Sequence, residues 1–142
     1  MQAKSLLTLL SLAVVIIFGF QLLTPPSRAL SVTATVDIKP ETLNVNMNGK
    51  WITAFIALPE GYNASDIDTS TILLEGLFGA KLSNIEGKRL MVKFDASSVT
   101  DYLWGKLYHM GIDRASIDLL ITGKLKDGTQ FAGSDTITII NP

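Results

Sequence analysis

The chain has 142 residues, among them 12 basic and 13 acidic side chains, one histidine and no cysteine. A balance this close to neutral gives no electrostatic footprint for nucleic acid or for an anionic lipid surface. Without cysteine there are no disulfide staples and no thiolate metal sites, so stability must come from a packed core, for which a domain of this length is sufficient.

From Ser5 to Ser27 no side chain is charged, and Leu6 to Leu23 is rich in Leu, Val, Ile and Phe. A secretory signal has an apolar core of roughly 7–15 residues and a spanning helix needs about 20, so this run falls between the two. Pro25 and Pro26 end the helical run. Ser27-Arg28-Ala29 then places small residues at the positions a signal peptidase reads, and Val32-Thr33-Ala34 is a second such site. Residues 1–29 are expected to be a signal peptide cut after Ala29; the rival reading is an uncut signal anchor, with Lys4 inside and Arg28 giving the positive-inside rule little contrast. Cleavage leaves 10 basic and 13 acidic residues, a net charge of −3.

Residues 30–142 read as one domain. Ser31 to Ile38 alternates, with Val32, Ala34, Val36 and Ile38 on one side, and predicts a half-buried strand that Pro40 stops. Trp51 to Leu58 is apolar on both faces and predicts a central strand, entered through an Asn48-Gly49 turn and ended by Pro59-Glu60-Gly61. A polar stretch from Tyr62 to Ser70 leads into a short strand at Thr71–Leu74. After a turn at Glu86-Gly87, Leu90–Phe94 alternates again.

Ser98 to Met110 breaks the pattern. Ser98 and Asp101 resemble a capping box, and Val99, Leu103, Leu107 and Met110 make a helical stripe. Ser116–Lys124 is the next strand, Lys126-Asp127-Gly128-Thr129 is a hairpin turn, and Phe131 with the alternating residues 135–140 closes the chain. Seven or so strands with one helical crossover predict an all-β, immunoglobulin-like two-sheet β-sandwich with one short helix, behind an N-terminal apolar helix.

The string Val36-Asp37-Ile38-Lys39-Pro40, then Leu43-Asn44, Gly49 and a strand ending in Ala57-Leu58, resembles a (V/I)DIKP-type accessory β-sandwich domain of secreted bacterial and archaeal proteins. Asp66-Ile67-Asp68 with Thr71, and Thr122-Gly123, Asp127-Gly128, Phe131, Gly133, Asp135 and Ile137, follow in that family's order. The resemblance spans the mature chain and implies an extracytoplasmic accessory module. Many relatives carry an acidic calcium-type loop, and the stretch in its place, Leu82 to Gly87, keeps Asn84 and Gly87 but lacks the first acid. Calcium requires six to eight oxygens, so no metal is expected at that turn.

Catalysis is poorly supplied. The single histidine, His109, has no cysteine partner, and no nucleophile elbow, zinc-protease helix or phosphate loop is present. The domain is therefore expected to be non-enzymatic. Asp66 and Asp68, two apart in an expected loop, are the candidate calcium ligands, with Asp95 and Asp113 able to join only if the fold brings them near; the competing reading is that both close turns through local amides. No other cofactor is expected. Asn63-Ala64-Ser65 is an N-glycosylation sequon in a surface loop.

Trp104 and Tyr108, off the helical stripe, could stack on a glycan, anchor another cell-surface or membrane protein, or cover the end of the sandwich. The alternating N-terminal strand could also insert into a second copy. Together these features predict a secreted or cell-surface structural or accessory subunit that works by binding, with a carbohydrate-binding module or a membrane-anchored ectodomain as alternatives.

Overall fold

The computed structural model describes residues 31–46 and 49–142. The expected signal or anchor at 1–29 and the Asn48 half of the Asn48-Gly49 turn lie outside the described residues. Two sheets pack face to face, so the expected β-sandwich is present. The first contains β1 (Ser31–Thr33), β3 (Thr42–Asn44), β5 (Ile67–Leu74), β6 (Phe78–Gly79), β9 (Arg114–Leu125) and β10 (Gln130–Ile140). Its order is β1-β10-β9-β5-β6, with β3 also on β10. The second runs β2 (Thr35–Lys39), β4 (Trp51–Ala57), β8 (Arg89–Asp95), β7 (Leu82–Glu86). Between them lies one apolar core in which Ile38, Ile52, Phe94, Leu119, Ile121 and Phe131 are buried.

The first expected strand changes sheets. Val32, Ala34, Val36 and Ile38 are all buried, as their alternation requires, yet β1 runs parallel to β10 while β2 runs antiparallel to β4. At the crossing the amide of Ala34 donates to the Ala132 carbonyl at 2.8 Å. Beyond it the amide of Ile38 donates to Asp135 Oδ2 at 2.8 Å, so a carboxylate from β10 satisfies a donor on the outer edge of β2. The first strand thus pairs within its own molecule.

Trp51–Ala57 is the central strand expected, between β2 and β8. Ile52, Ala54 and Ile56 enter the core, while Trp51 and Phe55 stand half-buried on the opposite face. Cations cover them: Arg89 lies 4.4 Å from the Phe55 ring centroid and Lys50 5.0 Å from that of Trp51.

Three expectations are corrected. The strand placed at Thr71–Leu74 begins at Ile67, because a three-residue bulge between Asp68 and Leu73 hides its pairing with β9 from any simple alternation. The Thr71 hydroxyl bridges that bulge, accepting from the Lys124 amide at 2.8 Å and donating to the Asp68 carbonyl at 2.6 Å. The stretch taken as the counterpart of a calcium loop is strand β7, joined to β8 by the two-residue turn Gly87-Lys88. The helix α1 is Ala96–Tyr108, starting two residues before Ser98 and ending before Met110, which is exposed.

Asp95, not Ser98, caps α1. Its Oδ2 accepts from the Ser98 amide at 3.1 Å and from the Ser98 hydroxyl at 2.5 Å. The Ser98 hydroxyl, then the Ser98 amide, hold the Asp95 carboxyl below its usual range. A depressed folded-state value means the cap's contribution is complete above the unfolded carboxylate value and is lost as pH falls through the folded one. The protection of the Ser98 amide, its exchange rate compared with the intrinsic rate at the same pH, should therefore fall on acidification through that window. Asp95→Asn, which keeps a cap oxygen but no acid, should show no such loss of protection; an unchanged acid response in that variant would rule the mechanism out.

Candidate functional site

Helix α1 crosses from the second sheet to the first and buries Ala96, Val99, Thr100, Leu103 and Leu107. Tyr102 packs edge-on against Phe78 with ring centroids 5.5 Å apart, and the Lys106 ammonium sits 4.5 Å from the Tyr102 centroid. The aromatic pair expected off the stripe is there but unequal. Trp104 is half-buried against the core, while Tyr108 is 70% exposed. Their centroids are 6.5 Å apart at an interplanar angle of 60°, so they do not form one flat platform. His109 stacks edge-on to Tyr108 at 6.0 Å, and Met110 beyond it is 66% exposed. Tyr108 and Met110 therefore form an apolar knob at the C-terminal end of α1, with Trp104 as its buttress.

Among the described residues the His109 ring has no hydrogen-bonded carboxylate or nucleophile, and it lies edge-on to Tyr108.

Asp66 and Asp68 lie apart in role. Asp66 ends a 3₁₀ turn, Ala64–Asp66, and its Oδ2 accepts from the Asn63 amide at 2.8 Å. Asp68 is the second residue of β5, and its Oδ1 accepts from the Ser70 amide at 3.2 Å and the Ser70 hydroxyl at 2.6 Å. Both carboxylates close local turns. Asp113 precedes β9 at the end where Arg114 faces Ile140, whereas Asp68 faces Lys124 at the other end, a separation of about 33 Å along the strand. Among the described residues no three His, Asp or Glu side chains are grouped to hold a metal ion. Asn63 and Ser65 are exposed on the outside of the 3₁₀ turn, with Ala64 buried beneath them, so the sequon lies on the surface.

Sequence reasoning passed over the open side of the sandwich. Between the start of β5 and strand β7 lies a cleft of about 420 Å³, floored by Ile67 and Leu90 and rimmed by Ser65, Asp68, Asn84 and Ile85. A second cleft of about 680 Å³ adjoins it, sharing Ala64, Ser65 and Ile85 and adding Tyr62 and Lys88. Ile85 was the available signal: an apolar side chain in an otherwise polar stretch, 50% exposed here.

Among the described residues no helix is long and apolar enough to cross a membrane. Compared with family models, with curated proteins and with solved structures, the chain matches none.

Proposed function

We propose that this chain is an exported, non-enzymatic structural or accessory subunit that acts by binding in an extracytoplasmic or cell-surface assembly. The observation that carries the reading is the knob at the end of α1, where Tyr108 closes the helix 70% exposed beside Trp104 and Met110 follows it 66% exposed. Apolar side chains held out by packed structure are the form that protein anchors take, and burying two of them against a partner supplies a hot spot. The uncharged run from Ser5 to Ser27 supports export, with cleavage after Ala29 giving a free domain and retention giving a membrane-anchored ectodomain. No cofactor is part of this reading.

We read the sandwich as immunoglobulin-like. Its support is the strand order: leaving out β1 and β3, the strands fall in chain sequence as first, second, sixth and fifth in one sheet and eighth, seventh, third and fourth in the other. That is the ABED and GFC arrangement with one added strand. The resemblance to the (V/I)DIKP-type module agrees with this reading.

A carbohydrate-binding module is the second reading, favoured by the free face of Tyr108. The tilt between Tyr108 and Trp104 suits a single sugar ring better than an extended crystalline surface. Trp104→Ala would disturb core packing as well as any ligand, so Tyr108→Ala is the cleaner probe.

The test is affinity capture from fractionated native cells. The wild-type chain should be recovered outside the cytoplasm with a partner in fixed ratio, and Tyr108→Ser/Met110→Ser should cut that recovery by about tenfold or more while leaving the fold intact. Recovery of the chain in the cytosol, or a partner yield indifferent to the double substitution, would overturn the reading. Loss of glycan retention with no protein partner would favour the second.

A further inference from the structure

Among the described residues strand β7 pairs only with β8, and all five of its residues are exposed, Leu82 by 52% and Ile85 by 50%. The register with β8 fixes which backbone groups are free. Because a two-residue turn joins the strands, Glu86 and Arg89 exchange both ladder bonds, and the alternation of an antiparallel pair assigns the next such exchanges to Asn84 with Met91 and to Leu82 with Lys93. The amide of Lys81 donating to the Lys93 carbonyl at 2.8 Å agrees with this phase. The N–H and C=O groups of Ser83 and Ile85 therefore point away from β8 into solvent.

Exposed edges in monomeric sheets are ordinarily shielded by shortness, proline, inward charge, bulges or a covering group. The other edges among the described residues follow that rule. β1 and β3 have three residues each and β6 has two, while the outer edge of β2 has Ile38 satisfied by the Asp135 carboxylate. Within Leu82–Glu86 there is no proline, no inward charge and no register shift. Ser83 and Ile85 face the interior side, opposite buried Val92 and Leu90, so the open cleft leaves an inward-pointing isoleucine half bare.

We infer that β7 is the interface of a homodimer, in which two copies pair antiparallel about a two-fold axis at Asn84. The occupant is a second copy because the strand is complementary to itself in this register. Ser83 faces the partner's Ile85 and Ile85 faces the partner's Ser83, so both residues with free backbone groups exchange bonds and four hydrogen bonds form. Centring the axis one residue to either side would set Ile85 against the partner's Lys81, whose amide is already engaged, or Ser83 against the partner's Gly87 in the turn.

The side chains agree. Glu86 faces the partner's Leu82, whose neighbour across the sheet is the partner's Lys93, so each end of the seam brings a carboxylate towards an ammonium with no like charges opposed. Ile85 and Leu82 both lose exposure, and the two four-stranded sheets become one of eight strands. A seam of five residues is small, so the dimer is expected to be weak in dilute solution and to matter where copies are concentrated. The inference deepens the subunit reading by naming one partner, and its test reads only the β7 seam, separately from capture through the α1 knob.

The chain contains no cysteine, so single thiols report proximity cleanly in the full-length protein. At the axis two copies of residue 84 form a non-hydrogen-bonded pair about 4.5 Å apart between Cα atoms, within disulfide range. Asn84→Cys should give a disulfide-linked dimer on non-reducing gels at a yield about tenfold above Leu82→Cys or Glu86→Cys alone, because each of those lies about 13 Å from its own symmetry mate. Leu82→Cys mixed with Glu86→Cys should recover the cross-link. Adding Ser83→Pro to Asn84→Cys should abolish it, since proline removes a donor that the β7–β8 ladder does not use. Equal yields at 82, 84 and 86 would indicate collision or association elsewhere and would overturn the inference, as would no cross-link at 84. If the proline variant fails to fold, the thiol scan still decides.

Discussion

Truncating Phe131 to alanine lowers the unfolding free energy by about 3–5 kcal/mol, a large share of the 5–15 kcal/mol typical of a domain. Phe131 is 1% exposed and lies directly across the ladder from Gly123. Its ring atoms Cζ and Cε1 sit 2.6 and 2.7 Å from where a β-carbon on Gly123 would be. The ring therefore fills the space that the absent side chain leaves, and the two residues act as one packing unit. Removing the ring opens a cavity walled by two strands that are held by backbone bonds and cannot collapse into it.

The same contact predicts that Gly123→Ala costs about 1–3 kcal/mol by forcing the ring aside, and that Gly123→Ala combined with Phe131→Leu costs less than the sum of the two single changes. Urea unfolding of the four proteins gives the coupling from the midpoints, provided the slopes agree. Strict additivity would show that the ring and the glycine are not a unit.

Gly133→Ala should destabilise by about 1–3 kcal/mol or more, through a different clash. Gly133 lies on β10 beside the place where the first strand leaves one sheet for the other. A β-carbon there would stand 2.4 Å from the Ala34 carbonyl oxygen and 2.7 Å from Val36 Cγ2. The backbone at Ala34 has little room to retreat, because its amide is bonded to the Ala132 carbonyl and the next pairing begins at Thr35. Relief would have to come from parting β1 from β10 or β2 from β4. A Gly133→Ala midpoint equivalent to within about 0.5 kcal/mol of the parent would mean that the crossing tolerates a side chain and that this account of it is wrong.

How much of this was legible depended on whether a residue's neighbours wrote themselves into side-chain periodicity. Val32, Ala34, Val36 and Ile38 announced a buried side, and that side is buried. The change of sheet at Ala34 was invisible because the inner faces of both sheets meet the same core; a strand can change partners without turning over. Trp51–Ala57 read correctly as central, although its outer aromatic residues are covered by the charged groups of Arg89 and Lys50 and not by another layer. β7 left almost no trace, since none of its five residues is buried and neither face imposes an apolar period.

At the candidate site the sequence placed the helix and its aromatic pair but not their inequality. Trp104 and Tyr108 have the same spacing from the stripe, and only the packing of neighbouring strands makes one a buttress and the other a free face. The helix start was displaced because Asp95 ends β8 and caps α1 at once, and a residue serving two elements is not marked by either pattern alone. For Asp66 and Asp68 the local reading needed only the next few amides, which is why turn closure was foreseeable from sequence while the distance to Asp113 was not.

The parallel pairing of β1 and β3 with β10 has a mechanical consequence. Tension applied between Ser31 and Ile140 pulls these strands lengthwise past one another, so their backbone bonds are strained simultaneously instead of opening one by one from an end. A hairpin such as β9–β10, grasped at its two free ends, would peel apart like a zip. A domain held by its first strand and loaded through its last would therefore yield by sliding, and its rupture force would be set by this short patch of ladder more than by the stability of the whole fold.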